Sequence, residues 1–228
     1  NLILQSPHAL MADPNTPFAR AQCEGCHGAS QEHLSKSANP ASIVFTGKHA
    51  SPLAERNGAC LTCHESGLRT HWTGSQHEAK GVACTDCHTM HAKDQKVLNR
   101  ATQAEVCFVC HQTQRAQTRR ISSHPLATTS LASAPKMVCT DCHNPHGSTG
   151  PKLLVKNTVN ETCYTCHAEK RGPFLWEHAP VTDDCTSCHT PHGSSNAPLL
   201  KARVPWLCQE CHSGDHGAQI NSGANLGG

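Results

Sequence analysis

The chain has 228 residues, of which 36% are apolar and 16% charged, with a formal charge of +2. It lacks the roughly 18-residue apolar stretch that a membrane-spanning helix needs. Three Trp, one Tyr and four Phe, set among 16 Gly and 14 Pro, leave little material for an ordinary hydrophobic core.

In chain order, one pentapeptide recurs. It runs Cys23-Glu-Gly-Cys26-His27, Cys60-Leu-Thr-Cys63-His64, Cys84-Thr-Asp-Cys87-His88 and Cys107-Phe-Val-Cys110-His111. It continues with Cys139-Thr-Asp-Cys142-His143, Cys163-Tyr-Thr-Cys166-His167, Cys185-Thr-Ser-Cys188-His189 and Cys208-Gln-Glu-Cys211-His212. A bare Cys-x-x-Cys suggests zinc or a thioredoxin-like redox pair, but neither requires His directly after the second Cys. Cys-x-x-Cys-His is the attachment site of c-type haem. With 19 His in 228 residues, eight such placements by chance have a probability of about two in a billion. The eight motifs use all 16 Cys, leaving none for disulfides. On one helical turn Cys(i), Cys(i+3) and His(i+4) share a face, so two thioethers and one imidazole can grip one ring. The reading is eight covalent haems c, with His27, His64, His88, His111, His143, His167, His189 and His212 as proximal iron ligands.

About 28 residues per motif cannot enclose each haem in its own globule, so the porphyrins must form the core. The expected fold is a multihaem cytochrome c, short α-helices and irregular loops wrapped around a haem chain, with little or no β-sheet. Two ionised propionates give a ferric bis-imidazole haem about −1, so the loaded chain carries about −6. Lys and Arg therefore read as propionate partners or solvated surface, not as a nucleic-acid patch. Arg115, Arg119 and Arg120 form the one basic run.

The motif spacing suggests a repeat of two motifs with two free histidines. The expected organisation is a single elongated domain of four two-haem modules, approximately 1–64, 77–111, 124–167 and 178–212. Residues 213–228 form a Gly/Asn-rich tail or the start of a fifth module. The module histidines are distal iron candidates: His8, His33, His77, His91, His124, His146, His178 and His192. His216 joins them if a fifth module opens; His49 and His71 are left to solvent. Met11, Met90 and Met137 are too few to supply the sixth ligands. Capping boxes Thr102-x-x-Glu105 and Thr158-x-x-Glu161, and Pro205, predict short helices entering the motifs at Cys107, Cys163 and Cys208. Asn144-Pro-His-Gly and Thr190-Pro-His-Gly predict prompt helix breaks that turn a histidine toward another iron.

The run from Cys163 to Thr182, together with Cys139-Thr-Asp-Cys-His-Asn-Pro-His-Gly-Ser, Ser123-His124-Pro-Leu and Cys23-Glu-Gly-Cys-His-Gly, resembles the decahaem cytochromes of the MtrA/DmsE type. The resemblance covers nearly the whole chain and includes residues between the motifs. It implies bis-His ligation throughout, in a haem wire threaded through an outer-membrane β-barrel porin. Such a wire takes electrons from a periplasmic donor cytochrome and hands them to an extracellular multihaem cytochrome, or runs the other way. It would serve respiration of extracellular metal or dimethyl sulfoxide, or Fe(II) oxidation, from a periplasmic, outer-membrane-associated position. Covalent haem attachment also predicts a bacterial secretory signal, removed before Asn1. The family has ten haems and this chain eight. The expectation is therefore an incomplete segment, with His8 or His216 serving a haem outside it. Two histidines per iron favour electron transfer over substrate chemistry. The alternatives are a soluble periplasmic shuttle and, less favoured because every motif ends in His, a multihaem oxyanion reductase.

Overall fold

The computed structural model describes residues 2–36, 38–126 and 135–212. His216 and the 213–228 tail lie outside the described residues. Among the described residues there are eleven α-helices and seven 3-10 helices, no strand, and only isolated bridges. The longest helix, Leu53–Leu61, has nine residues. None is long and apolar enough to cross a membrane. Short helices joined by irregular chain are what the composition and the motif spacing predict.

Two kinds of motif backbone alternate. Helices enter the motifs at Cys60, Cys107, Cys163 and Cys208 and end at the first Cys or one residue later: Leu53–Leu61, Gln103–Cys107, Val159–Tyr164 and Trp206–Gln209. The expected starts are present. The Thr158 hydroxyl accepts from the Glu161 N–H at 3.1 Å, supplying a partner for a helix N–H that has none in its own helix. Pro205, needing no N–H, stands immediately before Trp206. The Thr102 hydroxyl also donates to the Lys96 carbonyl at 2.7 Å, tying that helix start to the preceding loop. The other four motifs lie on single turns of their own, Glu24–His27, Cys84–Cys87, Cys139–Asp141 and Cys185–Ser187.

Only Trp72, Ala83, Phe108 and Val138 are buried apolar side chains among the described residues, against nine buried polar ones. Side chain to main chain hydrogen bonds therefore shape the protein part of the interior, and apolar packing between peptide segments contributes little.

The chain divides into two compact units. The first comprises Asn1–Cys107 with His143–Val155, and the second Phe108–Cys142 with Lys156–Gly228. These boundaries cut across the spacing-based modules, since 107/108 and 142/143 each fall within a motif. In the first unit, helix Leu53–Leu61 packs on Glu24–His27 and on Cys84–Cys87. In the second, Val159–Tyr164 packs on Cys185–Ser187.

Each unit holds a copy of one turn. Asn144 N–H donates to Leu153 O at 2.7 Å and Gly147 N–H to Asn144 O at 3.1 Å. In the second unit Thr190 N–H donates to Leu199 O and Gly193 N–H to Thr190 O, at the same distances. Gly147 has φ +114° and Gly193 φ +150°, where L side chains are rare. A Cβ on Gly147 would strike the His71 carbonyl oxygen, and one on Gly193 the Gln117 carbonyl oxygen. These turns deliver His146 and His192, the residues just before each glycine.

Candidate haem sites

The grip on a ring begins in the backbone. In the motifs at Cys23, Cys60, Cys84, Cys163, Cys185 and Cys208, the His N–H donates to the carbonyl of the first Cys at 2.9–3.0 Å. This i to i+4 bond closes one helical turn in every case, whatever helix precedes it. It puts both sulfurs and the imidazole of a motif on one face. All 16 Cys are free of disulfides, and each is half-buried or exposed.

Successive motifs lie side by side within each unit, and the thiols respond to one another. In the first unit Cys26 is pushed up by burial first and then by Cys63 and Cys23. The neighbouring Cys84 raises the Cys60 thiol most, with burial adding, and Cys60 brings Cys84 down to about 7. In the second unit burial raises Cys142, with Asp141 and Cys166 adding. Burial and then Cys185 push Cys163 up to about 11. The motifs starting at 23, 60 and 84 are thus neighbours in order, and so are those at 139, 163 and 185.

Each pairing of a motif histidine with a distal candidate was open in the sequence; the structure brings five pairs together. Ring centroids are 5.9 Å apart for His8 and His64, 6.1 Å for His27 and His91, and 6.0 Å for His88 and His146. In the second unit they are 6.3 Å apart for His124 and His167 and 6.0 Å for His178 and His212. Two metal–nitrogen bonds of about 2.0 Å, plus about 1.1 Å from each nitrogen to its ring centre, give roughly 6.2 Å. The observed spacings fit one iron between each pair.

The other ring nitrogen decides which atom faces the metal. His27 Nδ1 meets the Ile43 carbonyl at 2.9 Å, and His77 Nδ1 meets that of Pro145 at 2.7 Å. His143 Nδ1 meets that of Lys152 at 3.0 Å, and His189 Nδ1 that of Pro198 at 2.9 Å. His33 and His124 bond in the same way to the Asn39 and Pro191 carbonyls, and His88 to the Gln95 side-chain oxygen. A carbonyl only accepts, so in each case Nδ1 carries the proton and Nε2 keeps its lone pair for iron. His167 Nδ1 instead stands 3.6 Å from the Glu169 carboxylate. His8 and His146 differ, because their Nδ1 atoms are buried without a hydrogen-bond partner.

A family model described as a doubled CXXCH motif matches residues 132–172 and 178–217. One described as cytochrome c-type protein NrfB-like matches residues 23–103. Multiheme cytochrome MtrA of Shewanella baltica (strain OS185) is 48% identical over 214 residues, covering 93% of this chain and 62% of that protein. Both parts of the chain match multihaem c-type cytochrome families, and most of it is similar to MtrA. The chain spans somewhat under two thirds of that relative's length.

Its Cys-x-x-Cys-His motifs are the attachment sites of covalent haem c. The surplus His49 and His71 are exposed, as expected. Arg119 and Arg120 are exposed and Arg115 half-buried, so the basic run only partly faces solvent. Two sets of residues escaped the sequence reading. The carbonyl partners of the imidazoles carry no side-chain signal at all. The buried Asn57 and Asn160 had one, an Asn three residues before the first Cys of a motif, visible only once two motifs are compared.

Proposed function

We propose that this cytochrome holds eight bis-histidine haems and conducts electrons along them. The iron pairs would be His8 with His64, His27 with His91, His88 with His146, His124 with His167 and His178 with His212. The irons at His111, His143 and His189 would take their second ligands from His33, His77, His192 and His216. In this assignment His8 serves a haem of this chain. The observation that carries the proposal is the spacing of the five histidine pairs, each of which would close one iron to a substrate from both sides. Bound haem supplies reversible one-electron chemistry at iron. The chain's own work is to hold Nε2 toward the metal, keep Nδ1 protonated against a carbonyl, and set successive motifs side by side.

The four two-haem modules, approximately 1–64, 77–111, 124–167 and 178–212, are kept in this proposal as the repeating unit of ligand supply. The likeness to MtrA supports a periplasmic, outer-membrane-associated conduit inside a β-barrel porin. Its exchange partners would be a periplasmic donor cytochrome and an extracellular multihaem cytochrome, in extracellular metal or dimethyl sulfoxide respiration or in Fe(II) oxidation. The NrfB-like match over residues 23–103 favours a second reading, a soluble periplasmic shuttle. Affinity purification of the tagged full-length protein from detergent-solubilised outer membranes separates the two. A β-barrel protein recovered at one to one supports the conduit. Recovery of the cytochrome alone, all of it from the periplasmic fraction, supports the shuttle.

A further inference from the structure

One buried asparagine recurs in the same place in each unit. Asn57 and Asn160 each stand three residues before the first Cys of a motif, Cys60 and Cys163, and each is only 6% exposed. The Asn57 side-chain oxygen accepts from the Cys84 N–H at 3.0 Å, and that of Asn160 from the Cys185 N–H at 2.7 Å. The amide nitrogens donate back to the same segments. Asn57 Nδ2 reaches Val82 O at 3.2 Å, and Asn160 Nδ2 reaches Val181 O at 2.9 Å and Thr182 O at 3.0 Å.

Each asparagine therefore binds the opening Cys of the next motif. The first N–H of a helical turn has no partner within that turn, so Cys84 and Cys185 each need an outside acceptor. A carboxamide offers an acceptor and a donor together in one planar group, which neither a carboxylate nor an aliphatic side chain of the same shape does. The motifs at Cys107 and Cys208 carry Ala104 and Pro205 at the corresponding position and cannot make this link.

We propose that Asn57 and Asn160 are positioning residues for electron transfer, each holding two consecutive haem-attachment turns in fixed register. The motifs at Cys60 and Cys84 then carry one tightly coupled haem pair, and those at Cys163 and Cys185 a second. This rests on the multihaem wire proposed above.

The test uses the loaded full-length protein and its variants N57A, N160A and the double variant. Intact mass and the low-spin visible spectrum count haems and check their ligation. They test the wire separately from the clamp. Circular dichroism in the Soret band reads the exciton coupling between neighbouring haems. With the haem count unchanged, each single variant should lose part of the couplet and the double variant about half or more, the two sites sharing no partner and so adding. An unchanged couplet in a fully loaded double variant overturns the proposal. Hydrogen exchange in the unaltered holoprotein is a second reading that needs no variant. The Cys84 and Cys185 amides should exchange at least about tenfold more slowly than the solvent-facing amides of the same motifs, and equal rates overturn the clamp.

Discussion

Imidazole binds iron only as the neutral base, and two of the proposed ligands are biased that way by the protein itself. Burial holds His64 below the usual histidine range, with Arg69, His8 and His88 adding, and burial does the same for His146, with His88, Arg69 and His77 adding. Their folded pKa values lie below the unfolded value of about 6.5, so the unfolded chain binds more protons as pH falls. Their contribution is complete above about pH 6.5 and is lost progressively as pH drops below it. Iron bound at the same nitrogen pushes that loss lower still, so the low-spin spectrum should stay constant between pH 7 and 9. His146→Ala should leave one haem five-coordinate, adding a high-spin band and one carbon monoxide adduct per chain. Ring orientation gives a further check. The planes of His8 and His64, and of His27 and His91, cross at 77°, whereas those of His88 and His146 lie 14° apart. Electron paramagnetic resonance of the oxidised protein should show both the highly axial signal of crossed imidazoles and the rhombic signal of parallel ones. A purely rhombic spectrum would contradict the first two pairings.

Among the elements, two predictions isolate backbone geometry from haem chemistry. Thr158→Ala removes an N-cap and should cost about 1 kcal/mol, read as a lower unfolding midpoint with the haem spectrum unchanged. Gly147→Ala and Gly193→Ala should each cost more than Thr158→Ala, because the added methyl meets a carbonyl oxygen at a φ that disfavours it. The same elements show where the sequence could be read and where it could not. The motif turns were legible because a spacing of three and four residues fixes one face of a helix whatever surrounds it. The helices before Cys163 and Cys208 were legible from Thr158 and Pro205. The histidine pairs were not. His77 bonds to Pro145 and His124 to Pro191, links spanning 68 and 67 residues that depend on how the Pro-His-Gly turns aim the chain. Local pattern carries no information over that span. Asn57 and Asn160 likewise looked like ordinary helix residues, since the Cys84 and Cys185 amides they satisfy lie 27 and 25 residues further on.

For the molecule as a whole, the composition already indicated what holds it together. The four buried apolar side chains among the described residues cannot offset the conformational entropy of a chain this long, so the haems must supply the missing apolar surface. A chain produced without haem attachment should therefore show no cooperative thermal transition by far-ultraviolet circular dichroism, while the loaded protein unfolds cooperatively. The central claim is that every iron is closed by two histidines. It is tested most directly by haem quantification per chain, with optical spectra of the oxidised and dithionite-reduced protein repeated under carbon monoxide. The account predicts eight low-spin haems whose reduced spectrum carbon monoxide leaves unchanged. A high-spin band with a carbon monoxide adduct in the unaltered protein would reveal an open iron and contradict a fully ligated wire.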